Sequence, residues 1–181
     1  EHFMNDVARA IPNPKGEGTA WEAVRAARER VATTDEAKRD LRARGDLRIA
    51  ALGSGSDYTV FIDHLGIASL NLGFGGEGGG GIYHSIYDSF AWYTKFSDGD
   101  FTHTRALAQA AGTATLRLAD ADILPFEFTN LADTIDNYVE DVARLAIASK
   151  PGTAIDLQPL RVAASNLRRN ADAYDRALRT A

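Results

Sequence analysis

The stretch Tyr83-His84-Ser85-Ile86-Tyr87-Asp88 comes nearest to chemistry in residue type and spacing. An imidazole preceded by a phenol and followed four residues later by a carboxylate can ligate zinc through one ring nitrogen while an acceptor orients the other. One histidine does not make a metal site, because zinc takes three or four protein ligands. Asp57, Asp63 and Asp88 are candidate partners, yet no spacing forces them together, and neither HExxH nor a histidine pair occurs. His2, His64 and His103 read as structural or solvent-exposed; His103 lies in a Thr-His-Thr context suited to opening a helix. Gly73, Gly75 and Gly78 spell a G-x-G-x-x-G, but more glycines follow where a dinucleotide site needs a helix N-terminus to hold pyrophosphate. A mobile loop beside a cleft is the expectation for those glycines. Gly53-Ser54-Gly55 lacks the spacer of a G-x-S-x-G elbow, which argues against a serine hydrolase.

These residues need elements to position them. Helical spacing of apolar residues runs through residues 1–11 (Phe3, Met4, Val7, Ala8, Ile11) and again through 21–31 (Trp21, Val24, Ala27, Val31), with Pro12, Pro14, Gly16 and Gly18 between. Polar, charged residues follow up to Gly45. The apolar run 47–52 meets a glycine-serine turn, 58–65 fits two helical turns with Val60, Phe61 and Leu65 inward, and 67–72 is a second apolar run. Strand, helix and strand in that order predict a compact βαβ unit. Residues 101–121 form an alanine-rich helix in this reading; Leu124-Pro125-Phe126 interrupts it, and two amphipathic helices follow over 131–149 and 157–178. The fold class expected is therefore α/β followed by an all-helical region, divided as residues 1–125 and 126–181.

Composition sets the outer limits. The 181 residues contain 45% hydrophobic residues, too many for a disordered tail, and no apolar run approaches the ~20 residues of a membrane span. Twenty Lys and Arg against 25 Asp and Glu give a net charge of −5, which argues against nucleic acid as the main partner. The absence of cysteine excludes disulfide scaffolds and thiol catalysis. Glu1 rather than Met opens the chain, which reads as a processed or cut terminus.

The run Leu52-Gly53-Ser54-Gly55-Ser56-Asp57, then Phe61, Gly66-Ile67-Ala68-Ser69 and Tyr83-His84-Ser85-Ile86-Tyr87-Asp88, resembles the M28 family of zinc peptidases. The likeness is strongest to the branch that contains glutamate carboxypeptidase II and the transferrin receptor. It implies part of an α/β sandwich with a mixed central sheet and a two-zinc site that activates water for peptide hydrolysis, by a carboxypeptidase or an aminopeptidase. The family's zinc-ligating histidine falls on His84, and its tyrosine donor to the tetrahedral intermediate on Tyr83. The substrate cleft falls on Ser54, Gly55 and Ser56, and a supporting acid on Asp88. Two arginines that grip acidic side chains in glutamate-specific members match Asn71 and Gly73 here. The other zinc ligands and the catalytic glutamate lie upstream of the region matching Glu1, so the resemblance implies a C-terminal fragment, inactive alone. It also implies a peptide substrate, a homodimer through the C-terminal helices of a transferrin receptor-like dimerisation domain, and a secreted, periplasmic or otherwise extracytoplasmic location. The competing expectation is a non-catalytic receptor-like homologue that serves in binding or dimerisation.

Overall fold

The computed structural model describes residues 1–75, 82–149 and 155–180, so the glycines at 76–81 lie outside the described residues, as does the expected mobile loop. The element order is α1 (His2–Ala10), α2 (Ala20–Val31), α3 (Asp35–Ala43), a π-helical turn (Val60–His64), α4 (Phe90–Phe96), α5 (Thr102–Ala119), α6 (Phe128–Ser149) and α7 (Gln158–Leu178). The chain divides into two compact units, Glu1–Asp122 and Ile123–Ala181.

The first unit is organised around α1, which packs against α2 and α5 and buries Val7 and Ile11. Small residues of α5, Ala106 and Ala114, are buried as well. The link from α1 to α2 is closed by a bridge between Pro12 and Thr19, with Ala20 N–H on the Ile11 carbonyl at 2.8 Å. Thr19 then caps α2 reciprocally with Glu22: the Glu22 N–H donates to the threonine hydroxyl at 3.2 Å, and the Thr19 N–H to the glutamate carboxylate at 2.8 Å. Gly18 precedes the cap at φ +81°, a left-handed conformation that favours glycine, and a Cβ there would displace the Glu22 carboxylate of the cap.

Asn5 ties the unit together. Its buried carboxamide donates to the carbonyls of Glu1 at 2.9 Å and Leu47 at 3.0 Å, and accepts from the Leu47 N–H at 2.8 Å and the Trp21 indole N–H at 2.7 Å. Arg9 lies over the Trp21 ring at 4.5 Å and reaches Asp46 at 2.7 Å.

The expected α/β sandwich is overturned: no strand occurs among the described residues, and the βαβ unit read from 47–72 is absent. The reason lies in where the backbone groups go. Asn5 occupies both polar groups of Leu47, the Glu1 carboxylate takes the Ile49 N–H at 3.1 Å, and Arg28 takes the Arg48 carbonyl at 2.6 Å. The Ile67 N–H closes the π-helical turn on the Phe61 carbonyl at 2.8 Å. Side chains and a turn thus satisfy groups that a ladder would have used. Val60, Phe61 and Leu65, expected to face inward, are exposed. The polar stretch before Gly45 contains α3, capped by Thr34 through the Ala37 N–H at 3.1 Å.

The second unit is an antiparallel-type helical pair in which α6 and α7 pack through small residues, with Ala132, Val139, Ala164 and Ala171 buried. Its flanks are joined by Arg168 with Asp133 and Asp136 and by Arg161 with Glu140. Thr129 donates to Asp175 at 3.0 Å, and Phe128 meets the Tyr174 ring edge-on at 5.0 Å.

Replacing Asn5 by alanine strands the polar groups of Leu47 and the Trp21 indole in a buried place. Unsatisfied buried groups cost ~1–3 kcal/mol each, and partial access of water to the indole lowers the sum. Asn5→Ala should reduce unfolding stability by about 3 kcal/mol in urea titration; a loss under about 0.5 kcal/mol would show that the carboxamide is dispensable.

Candidate functional site

Tyr83 and His84 sit in consecutive turns between residue 82 and α4. The Ser85 N–H bonds the Ile82 carbonyl at 2.9 Å and the Asp88 N–H bonds the Ser85 carbonyl at 3.1 Å. This path puts His84 at φ +62°, a left-handed conformation that costs energy in a side-chain-bearing residue but that histidine adopts more often than most. The Tyr83 and His84 rings stack at 3.7 Å between centroids, inclined by 25°. Tyr83 is 72% exposed, and His84 and Asp88 are exposed too. The structure brings phenol and imidazole together; no hydrogen bond joins either to Asp88 among the described residues.

The other expected site residues lie elsewhere in the first unit. Ser54, Gly55 and Ser56 form an exposed bend in which Gly55 takes φ +90° and the Thr59 N–H bonds the Ser56 carbonyl at 3.0 Å. Asn71 lines an open, mostly apolar cavity of about 820 Å³ with Met4, Ile49, Leu52, Ile62 and Leu70. Neither the serine-glycine bend nor the Tyr83-His84 pair lines that cavity. Among the described residues no three His, Asp or Glu side chains come together as a metal site requires. His84 and His64 are both exposed. His2 is engaged with Asp46 at 2.8 Å and Asp6 at 3.1 Å.

A cluster that sequence reasoning missed lies at the junction of α4 and α5. The Asp98 carboxylate is only 5% exposed. It accepts the His103 N–H at 3.1 Å, the Thr104 N–H at 2.7 Å and the Thr104 hydroxyl at 2.8 Å, and contacts the His103 Nδ1 at 3.1 Å. The Thr104 hydroxyl spends its proton on Asp98, so Tyr93 is the donor in the 2.6 Å bond between their oxygens; the Tyr93 hydroxyl also lies 3.2 Å from Asp98. Asp98 thereby satisfies two free N–H groups of the first turn of α5, while Asp100 takes that of Thr102 at 3.1 Å, and the negative charge also meets the positive end of the helix dipole. The neighbouring Gly99 is required by space, since a Cβ there would sit 2.5 Å from the Thr94 carbonyl oxygen. Burial pushes the Asp98 carboxyl up, but the bonds from Thr104 and His103 outweigh it and hold the group well below the usual carboxylate range. The signal in the sequence was an aspartate five residues before His103, within reach of a helix start.

Curated relatives carry the same kinship the motif suggests. The probable glutamate carboxypeptidase LAMP1 of Arabidopsis thaliana is 39% identical over 108 residues, 60% of this chain and 15% of that protein. A probable glutamate carboxypeptidase of Arthroderma benhamiae is 41% identical over 105 residues, 56% of this chain and 14% of its own length. Aminopeptidase NAALADL1 of Mus musculus is 30% identical over 126 residues, 66% of this chain and 17% of that protein. The matched residues are thus a small part of each relative. No family model matches the chain, and no solved structure matches it.

The lowered pKa of Asp98 fixes a pH dependence. A carboxyl whose folded pKa is depressed contributes stability that is present above its unfolded value, about 3.8, and lost as pH falls through the folded value. Asp98→Asn should therefore lower the thermal midpoint at pH 7, with the gap to wild type narrowing below pH ~4. A gap that stays constant from pH 7 to acid would contradict an ionised, hydrogen-bonded Asp98.

Proposed function

Because the chain is homologous to glutamate carboxypeptidase-like proteins and NAALADL1-type aminopeptidases, we propose that it is the C-terminal part of an M28-type zinc exopeptidase that hydrolyses peptides. The names of these relatives favour a peptidase over a non-catalytic receptor-like module. The observation that carries the reading is the exposed, stacked Tyr83-His84 pair, held in tight turns within a chain of that kinship.

In this reading His84 would contribute one imidazole ligand to the two-zinc centre of the whole protein. Bound zinc supplies Lewis-acid polarisation and a water whose pKa falls to ~7. The Tyr83 ring stacks on the His84 ring, and its exposed phenol would donate a hydrogen bond to the oxyanion developing on the scissile carbonyl. Such a donor stabilises charge that is absent from the ground state. The resemblance assigns Ser54, Gly55 and Ser56 to the peptide cleft; the structure shows them as an exposed bend with Gly55 at φ +90° and no contact to the Tyr83-His84 pair among the described residues. Asn71 supplies an uncharged amide rather than a cation, so it confers no electrostatic preference for acidic side chains. Asp88 supports the turn that carries His84.

We also propose that the whole protein forms a homodimer through α6 and α7. Leu131, Tyr138, Val142 and Leu145 recur at intervals of seven, four and three residues, so they share one side of α6, and all four are exposed. A stable twofold interface needs about 1,200 Å² or more of buried surface. Sedimentation of the whole protein should give a dimer that Leu145→Glu converts to monomer; a monomeric wild type would refute the dimer.

For the catalytic roles, His84→Ala in the whole protein should lower zinc content and abolish most peptide turnover. Tyr83→Phe should leave zinc content intact and lower kcat by ~10²–10³-fold. Wild-type turnover by Tyr83→Phe would remove the oxyanion role.

A further inference from the structure

Two stretches of the first unit that form neither helix nor turn, residues 49–52 and 67–72, line the open cavity of about 820 Å³ together with Met4, Ile62 and Gly66. No charged side chain lines it, and Ser69 and Asn71 are its polar ones. Ile49, Ile67 and Leu70 are 44%, 52% and 46% exposed, so apolar side chains of the lining meet water. Among the described residues, the backbone N–H and C=O groups of 50–52 and 68–72 make no hydrogen bond. Their neighbours are taken: the Ile49 N–H by Glu1, the Arg48 carbonyl by Arg28 and the Ile67 carbonyl by the Ser69 hydroxyl at 3.2 Å. Backbone groups pair with protein or with water, and contact with water is unfavourable for the apolar side chains beside them. Ala50, Ala51, Gly66 and Ala68 are small, which leaves room for another backbone to approach to hydrogen-bonding distance.

We propose that this cavity is a docking site for an uncharged, mostly apolar segment of the whole protein from outside these 181 residues, which hydrogen-bonds the backbone of 50–52 and 68–72. The occupant's chemistry follows from the lining. A charge placed there would lose its water and find no partner. A helix has its own backbone groups paired internally and leaves those of the cavity unanswered, whereas an extended peptide answers them. The residues matched in the relatives are 14–17% of each relative's length, so most of a protein of that kind lies outside them. A segment joined covalently is present at an effective concentration on the order of millimolar, which favours it over a second copy or a free peptide. The proposal rests on this chain being part of a longer protein of that kinship, and it needs neither zinc nor peptidase activity. The helices and turns described above are unchanged by it.

The test is photo-crosslinking in the whole protein carrying Leu70→benzoylphenylalanine, with peptide mapping of the product. The expected product joins position 70 to a segment outside residues 1–181 of the same molecule. A product confined to residues 1–181, or none, would overturn the proposal by leaving the cavity a solvent-facing surface. A product joining light to heavy protein in an isotopic mixture would overturn it too, by giving the cavity to a second copy. Hydrogen exchange of the unmodified whole protein supplies a reading free of the introduced group. The amides of 50–52 and 68–72 should exchange about 10²-fold or more slowly than in the unfolded chain. Exchange at the unfolded rate would overturn the proposal whatever the crosslink. Zinc content and peptide hydrolysis of the same preparation report separately on the peptidase reading. Crosslinked, protected protein without activity would refute that reading and leave the docking intact; active protein with unprotected amides would do the reverse.

Discussion

One buried carboxamide, that of Asn5, holds the first unit in its observed form. The helices around it are short, and isolated helices of nine to twelve residues are marginal in water. Their apolar faces are correspondingly modest, with Val7 the largest side chain that is completely buried. Asn5 uses both donor positions and both acceptor positions, linking its own helix to Trp21 of α2 and to Leu47 beyond α3. Replacing such a group costs more than the net worth of its bonds, because the partners remain buried without it. The second unit depends on a different balance, with alanines and Val139 at the seam and charged pairs on the flanks. Exposed pairs of this kind are screened by solvent and add little, so the close approach of small side chains carries more of the α6–α7 association.

A similar economy governs the junction beside the candidate site. Asp98 performs the work of a helix cap from three residues before Phe101, the residue that immediately precedes α5, and in doing so it also anchors Tyr93 and the His103 ring. Capping of α5 and its link to Tyr93 of α4 become aspects of one charged group. Polar networks of this sort stabilise only when every member is satisfied, which is the state seen for Asp98.

The helices were legible to the degree that they carry an apolar stripe. Residues of α1, α2, α5, α6 and α7 show helical spacing, and those elements occur where the spacing places them. α3 lacks such a stripe and was passed over, although Thr34 followed by Asp35 and Glu36 is a start signal that capping logic reads. The apolar runs at 47–52 and 67–72 misled for a physical reason. Short apolar runs do not distinguish a strand from extended chain, and the side chains of Glu1, Asn5 and Arg28 that absorb backbone groups of residues 47–49 are remote in sequence. In the site, Tyr83 and His84 stood out through family resemblance more than through spacing. Asp98 was invisible to a search for metal ligands and nucleophiles because its partners are mainly backbone N–H groups and hydroxyls.

The functional account joins these parts. The first unit contains the α4–α5 junction, and the turns before α4 display an imidazole in a left-handed conformation stacked on a phenol. The chain is similar to named peptidases, and on the proposed reading that display is a zinc ligand beside an oxyanion donor. The most direct measurement is diffraction from zinc-loaded crystals of the whole protein, recorded on both sides of the zinc absorption edge. The account predicts an anomalous peak at about 2.0–2.1 Å from a ring nitrogen of His84. Zinc-loaded crystals with no peak within coordinating distance of either His84 nitrogen would contradict it.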